Sequence, residues 1–125
     1  MKISNVNPLI SVIITNYNGK IHLKECLDSL ERIDYDNYEI ILVDNASVDG
    51  SVEFAKTILP TIKVIPLDKN YGFAEGCNIG ALEAKGEFIV FLNNDTRVDA
   101  EWLSELVNAT KIYGENNIYS SKVLF

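Results

Sequence analysis

Two aspartates that end very apolar runs carry most of the chemical content of this sequence. In LNNDT (92–96) an apolar run breaks into Asn93, Asn94 and Asp95, the carboxylate last. A carboxylate so placed can ligate Mg2+ or Mn2+, hard ions that take a few protein oxygens and leave sites for phosphate oxygens. An Asn/Asp turn before a helix is the alternative reading of the same residues. In EIILVDNASVDGS (39–51) Asp44 ends a second apolar run. A carboxylate there needs a partner to offset its desolvation, and an imide N–H or ribose hydroxyls would supply one. Asn45 and Ser47 add short polar groups, and Asp49 is expected to cap the next helix.

Two further segments are polar in the same way. In TNYNG (15–19) Gly19 permits a tight turn, Asn16 and Asn18 offer donors and acceptors to a base or ribose, and Tyr17 could stack on a base. Ordinary turn chemistry is the simpler reading of that loop taken alone. In DKNYGFAEGCNIG (68–80) three glycines bring backbone close to something, and Lys69 could face phosphate. This is not the dinucleotide fingerprint, which needs G-x-G-x-x-G directly after the first strand. Gly76 and Gly80 lie on one helix face and serve equally well to let that helix pack on a sheet. His22, the one histidine, has no second ligand in view and reads as a solvated side chain. No Ser-His-Asp or Cys-His set can be assembled. Trp102 sits on an apolar helical stripe and reads as core.

The elements that must hold these residues alternate. Leu9–Thr15, Glu39–Val43, Ile62–Leu67 and Phe88–Leu92 are short and apolar almost throughout, as strands covered on both faces are. Between them, helical stripes recur: Leu23, Cys26, Leu27, Leu30 and Ile33; Val52, Ala55, Ile58 and Leu59; Phe73, Cys77, Ala81 and Ala84; Trp102, Leu103, Leu106, Val107 and Thr110. Asp49 and Asp99 stand at expected N-caps, and Pro60 and Gly86 at expected helix ends. Ile118–Phe125 reads as the start of another strand. The pattern predicts an α/β, Rossmann-like fold, a mainly parallel sheet flanked by helices on both faces. Residues 1–7 form an N-terminal extension and 8–125 one domain. Ligands of such sheets bind beyond the carboxyl ends of the strands, which is where the polar loops fall.

Composition narrows the function. The 125 residues are 47% hydrophobic and 23% charged, suited to a folded domain with a real core. The formal charge is 11 − 18 = −7, which argues against a nucleic-acid surface. It also means that a diphosphate ligand would need a cation locally. No apolar run reaches the roughly 18 residues of a membrane span. The N-terminus has no secretory pattern, which argues against export. Cys26 and Cys77 read as buried thiols in a reducing compartment.

Taken together, SVIITNYNG (11–19), EIILVDNASVDGS (39–51), NYGFAEGCNIGALEAKGEFIVFLNND (70–95) and DAEWLSEL (99–106) resemble the family 2 glycosyltransferases of the GT-A fold, especially their rhamnosyltransferase-like branch. The resemblance implies that this chain is the nucleotide-binding half of an enzyme that transfers sugar from a nucleoside-diphosphate-sugar to an acceptor hydroxyl. It implies a base pocket at Thr15 and Tyr17, a nucleobase contact at Asp44, and a ribose and diphosphate border at Asn70, Gly72 and Asn78. Asp95 matches the last residue of the family's D-x-D motif, the ligand of Mg2+ or Mn2+. Asn93 stands in place of its first aspartate and can still meet a ribose or a metal-bound water. UDP- or dTDP-linked donors, a saccharide or lipid-linked acceptor, inverting transfer, and a cytoplasmic location, peripheral at the inner membrane face, follow from the same resemblance. The general base is expected beyond residue 125. A non-catalytic nucleotide-sugar-binding module is the alternative. A phospho-receiver domain shares the length and alternation, but Thr15-Asn16-Tyr17-Asn18 and Asp68-Lys69-Asn70 replace the acidic residues it requires.

Overall fold

The computed structural model describes residues 7–122. The strands are β1 (Ile10–Asn16), β2 (Tyr38–Asp44), β3 (Lys63–Pro66) and β4 (Phe88–Asn93). The helices are α1 (Lys20–Glu31), α2 (Ser51–Ile58), α3 (Phe73–Glu83) and α4 (Trp102–Tyr113). The strands form one sheet in the order β3-β2-β1-β4, and every pairing is parallel. The expected α/β alternation and parallel sheet are therefore what the chain adopts. The register sets Asn16 beside Asp44 and Thr15 beside Asn93.

The core explains why these strands are so apolar. On one face Ile10, Val12, Ile14, Ile40 and Leu42 pack with Leu23, Cys26, Leu27 and Leu30 of α1, Ala55 of α2, and Leu103 and Val107 of α4. On the other, Ile13, Ile41 and Val43 meet Ile79 and Ala81 of α3. Each such aliphatic side chain, fully buried, contributes about 1.5–3 kcal/mol. Both faces of β1 and β2 are covered, but α3 does not extend over β4. Ile89 and Phe91 stay 43% and 52% exposed there.

Several local expectations are corrected. The sheet-facing side of α3 is Gly76 and Gly80, not the Phe73–Cys77 stripe; Phe73 is exposed and Cys77 only half-buried. A Cβ on Gly80 would lie 2.5 Å from Ile13 Cγ2 and 3.0 Å from Val43 Cγ2, so the glycines let α3 sit directly on the sheet. The N-caps are Gly50, in the left-handed region at φ 81°, and Glu101, one and two residues past Asp49 and Asp99. Both aspartates still accept amides of the turn: Ser51 N at 3.0 Å and Glu101 N at 2.9 Å. Helix α3 ends at Glu83, before Gly86. Ile118–Lys122 is irregular rather than a strand, because it meets no sheet edge; Trp102 Nε1 donates to Ser121 Oγ at 3.0 Å instead. Residues 123–125 of that expected strand lie outside the described residues.

Candidate nucleotide and metal site

Four parallel strands deliver the loops that follow them to one end of the sheet, so Asp44 and Asp95 lie at the same end. What they do there differs. Asp44 is 2% exposed. Its Oδ1 accepts from Asn16 Nδ2 at 2.9 Å and from the Ser47 hydroxyl at 2.8 Å, while Oδ2 accepts from Ser47 N at 2.9 Å. The turn that brings Ser47 back uses Ala46 at φ 59°. Ser47 Oγ also accepts from Asn18 N at 2.8 Å, and Asn18 Oδ1 accepts from Val48 N at 2.8 Å. Asn18, at φ 48°, is thus a latch between the loops after β1 and β2. Asp49 extends this latch, accepting from Lys20 N at the start of α1. Burial tends to raise its carboxyl, but the Ser51 hydroxyl and the Lys20 and Ser51 amides outweigh that and hold it below the usual range.

The side chain of Asn45, 3% exposed, turns to the other side. It donates through Nδ2 to Gly72 O at 3.3 Å and accepts from Tyr71 N at 3.1 Å, tying the loop before α3 to the end of β2. Asn70 Oδ1 accepts from Gly72 N at 2.9 Å, and Gly72 takes φ 90°, which favours glycine. Thr15 lies half-buried beneath the first turn of α3, its Cγ2 3.0 Å from where a Gly76 Cβ would be. No side chain caps α3, so its first amides are left for solvent or an anion. Lys69 Nζ lies 4.9 Å from the Tyr71 ring centre. The Tyr71 hydroxyl donates to Asp68 at 2.7 Å, and this bond holds Asp68 below, and Tyr71 above, their ordinary ranges.

At the end of β4, Asn93 is exposed on the face it shares with Thr15. Asn94 turns inward and donates to Asn16 Oδ1 at 2.9 Å. Asp95 is exposed, and no hydrogen bond or ion pair to its carboxylate is found among the described residues. Arg97, two residues on, pairs with Glu25 at 3.8 Å. Beneath this turn Cys26 Sγ donates to Asn93 O at 3.8 Å. Burial, and then the negative charge of Asp95, push the Cys26 thiol up to about 12, against a smaller opposing bond from Thr96.

The structure therefore gathers Thr15, Tyr17, Asp44, Asn70, Gly72, Asn93 and Asp95 around the ends of the strands. Asn78 is not joined to them. It is exposed and lies about 200° round α3 from Gly76, on the side away from the sheet. Asn16, read from the sequence as a possible ligand contact, is 1% exposed and serves Asp44 and Asn94 instead. The roles of Asn45 and Ser47 as struts and of Asn94 as an inward tie were missed. The available signal was that β1 and β2 both end in a polar residue and, being parallel, could end side by side.

Among the described residues no group of three or more His, Cys, Asp or Glu could hold a metal. A zinc site, which wants four protein or three protein and one water ligands, does not fit. A single exposed carboxylate, with an exposed Asn93 two residues before it, does fit Mg2+ or Mn2+, whose remaining ligands are phosphate oxygens and water. A cavity of about 370 Å3 lined by Asp34, Tyr35, Asp36 and Lys111 lies at the opposite end of the sheet and takes no part.

A parallel sheet with helices on both faces and polar loops gathered at its carboxyl end defines the open α/β class that binds nucleotides at that end. Within that class the chain belongs to glycosyltransferase family 2, since residues 11–122 match the family described as Glycosyl transferase family 2. It is 35% identical over 104 residues to an uncharacterized glycosyltransferase of Haemophilus influenzae, covering 81% of this chain and 42% of that protein. It is 33% identical over 104 residues to the glycosyltransferase GlyG of Streptococcus pneumoniae, covering 81% and 35%. The chain thus spans less than half the length of these relatives. Its fold matches S. aureus TarS 1-349 in complex with UDP-GlcNAc at a TM-score of 0.78 and 27% identity, over 83% of this chain and 31% of that one. It also matches the mannosyltransferase PcManGT of Pyrobaculum calidifontis in complex with GDP-Man and Mn2+, at 0.76 and 25%, over 83% and 32%. The GT-A expectation is met. No helix among the described residues is long and apolar enough to cross a membrane.

Proposed function

We propose that the intact protein transfers a sugar from a nucleoside-diphosphate-sugar to an acceptor hydroxyl with inversion, and that residues 8–125 bind the donor. The observation that carries this is the convergence of loops from β1, β2 and β4 through the Asp44–Asn16–Asn94 contacts, with Asp95 left exposed beside them. The relatives' complexes with UDP-GlcNAc and with GDP-Man and Mn2+ support a nucleotide-sugar and a divalent ion as ligands. Thr15 and Tyr17 border the base, Asn70 and Gly72 the ribose and diphosphate, and Asp44 shapes the base pocket from behind through Asn16 and Ser47. Asp95, with Asn93 beside it, would hold Mg2+ or Mn2+, an ion that supplies Lewis-acid stabilisation of charge on the departing phosphate.

In the transfer, the acceptor oxygen attacks the anomeric carbon while the bond from that carbon to the phosphate oxygen breaks. The nucleoside diphosphate leaves with the bonding electrons, and the hydroxyl proton passes to a base that lies beyond residue 125. The donor is UDP- or dTDP-linked, the acceptor a saccharide or a lipid-linked saccharide, and the enzyme belongs to the rhamnosyltransferase-like branch. A lipid-linked acceptor would place the protein in the cytoplasm at the inner face of the membrane.

Calorimetry with UDP and dTDP, with and without Mn2+, tests the reading on residues 1–125. Mn2+ is expected to tighten binding about tenfold or more, and Asp95→Ala to remove that gain. Binding that ignores both the metal and the substitution would take Asp95 out of the site. Sugar transfer by residues 1–125 alone would contradict a base outside them.

A further inference from the structure

We propose that Asn16 is a positioning residue. Its side-chain amide passes the orientation set by Asp44 across the sheet to Asn94, and so holds the turn that presents Asp95. The inference rests on the metal role given above to Asp95.

The bonds have a direction. An ionised carboxylate only accepts, so Asp44 draws the Nδ2 side of the Asn16 amide toward itself, at 2.9 Å. The Oδ1 side must then face the other way, and a buried acceptor there requires a donor. Asn94 Nδ2 supplies it at 2.9 Å. At 1% exposure, Asn16 cannot reach a ligand, so it acts only through its protein partners, Asp44 and Asn94 and, by a longer bond from Nδ2 at 3.3 Å, Ser47 Oγ. The turn it steadies is otherwise light in restraints, closed by Thr96 N to Asn93 O at 3.2 Å and touched from below by Cys26 Sγ at 3.8 Å.

Gly19 shows that room is kept for the bond. A Cβ there would overlap both Asn94 Nδ2 and Asn16 Oδ1. The glycine has φ −102°, open to any residue, so it is needed for space and not for conformation. A side chain at position 19 would therefore break the tie between β1 and the β4 turn without removing a single hydrogen-bonding group.

The test measures UDP binding to residues 1–125 with and without Mn2+ for Asn94→Ala, Gly19→Ala and the double variant. Each single change is expected to cut the Mn2+-dependent gain about tenfold, as loss of a supporting contact behind a metal ligand does, with metal-free UDP affinity unchanged within about twofold. The double variant is expected to lose no more than either single one, because both break the same bond. A full Mn2+ gain in Asn94→Ala, when Asp95→Ala has lost it, would overturn the inference and leave the metal reading standing. Additive losses in the double variant would also overturn it. No Mn2+ gain in the unsubstituted protein would overturn the metal reading, and this inference with it.

Discussion

The ends of β2 and β4 each present a carboxylate to the same side of the sheet, and the two are built in opposite ways. Asp44 is enclosed, with three bonds from Asn16 and Ser47. Asp95 is exposed and takes none from the described residues. The strands behind them differ in the same sense. β2 lies inside the sheet, covered on both faces, whereas β4 is an edge with Ile89 and Phe91 bare on one face. A buried carboxylate that is fully bonded maintains a shape. An exposed one with no protein partner is available to a ligand, and the closeness of the two allows the first to steady the second.

The largest expected effect would break this contrast outright. Asp44→Ala leaves Asn16 Nδ2 and Ser47 N without their charged acceptor and should cost about 3 kcal/mol of stability by urea denaturation. Asp95→Ala should change stability by less than about 0.5 kcal/mol while removing the Mn2+-dependent binding. Equal losses of stability in the two variants would mean that Asp44 is not the structural partner described here.

A smaller effect sharpens the contrast between the strands. Gly80→Ala places a methyl group 2.5 Å from Ile13 Cγ2, where close-packed β1 and β2 cannot yield. Overpacking of about 1–3 kcal/mol is partly offset by about 1 kcal/mol of helix propensity, leaving a net loss near 1 kcal/mol. Phe91→Thr on the bare face of β4 replaces an exposed ring by a β-branched residue that also suits a strand, and should cost less, under about 1 kcal/mol. Thermal unfolding of the two variants side by side checks the order. A costlier Phe91→Thr would show that the β4 face is not bare in solution.

How far these features could be read from the sequence depends on how local their causes are. The four strands were legible because burial on both faces makes them apolar throughout, and Asp95 because a lone carboxylate after such a run stands out. The sheet-facing side of α3 was not, since Gly76 and Gly80 pack by having no side chain and leave no hydrophobic signal. The Asn16–Asn94 bond was not legible either. It joins residues 78 positions apart, and it depends on β4 lying next to β1, a strand order that alternation alone does not determine. Asp44 was read as facing a ligand because its need for partners was visible, while the nearness of Asn16 and Ser47 as those partners was not. The segment from Ile118 had strand composition, but a strand also needs an edge to pair with.

The smallest effect uses Cys26 as a gauge of Asp95. The thiol lies under the β4 turn and is raised from 9.0 to about 12, by burial first and by the charge of Asp95 second. Because the folded value is the higher one, the stability contributed by the neutral thiol is complete below pH 9 and is lost as pH rises from 9 toward 12. The unfolded chain ionises first over that range. Replacing Asp95 by a neutral residue removes only the second cause, so Asp95→Asn should shift thiolate formation to modestly lower pH without restoring the ordinary value. The 13Cβ chemical shift of Cys26 against pH, in a Cys77→Ser background, reads this directly, since the thiol is fully buried and no reagent has to reach it. Overlapping profiles with and without Asp95→Asn would show that the Asp95 carboxylate stands too far into solvent for its charge to reach beneath the turn.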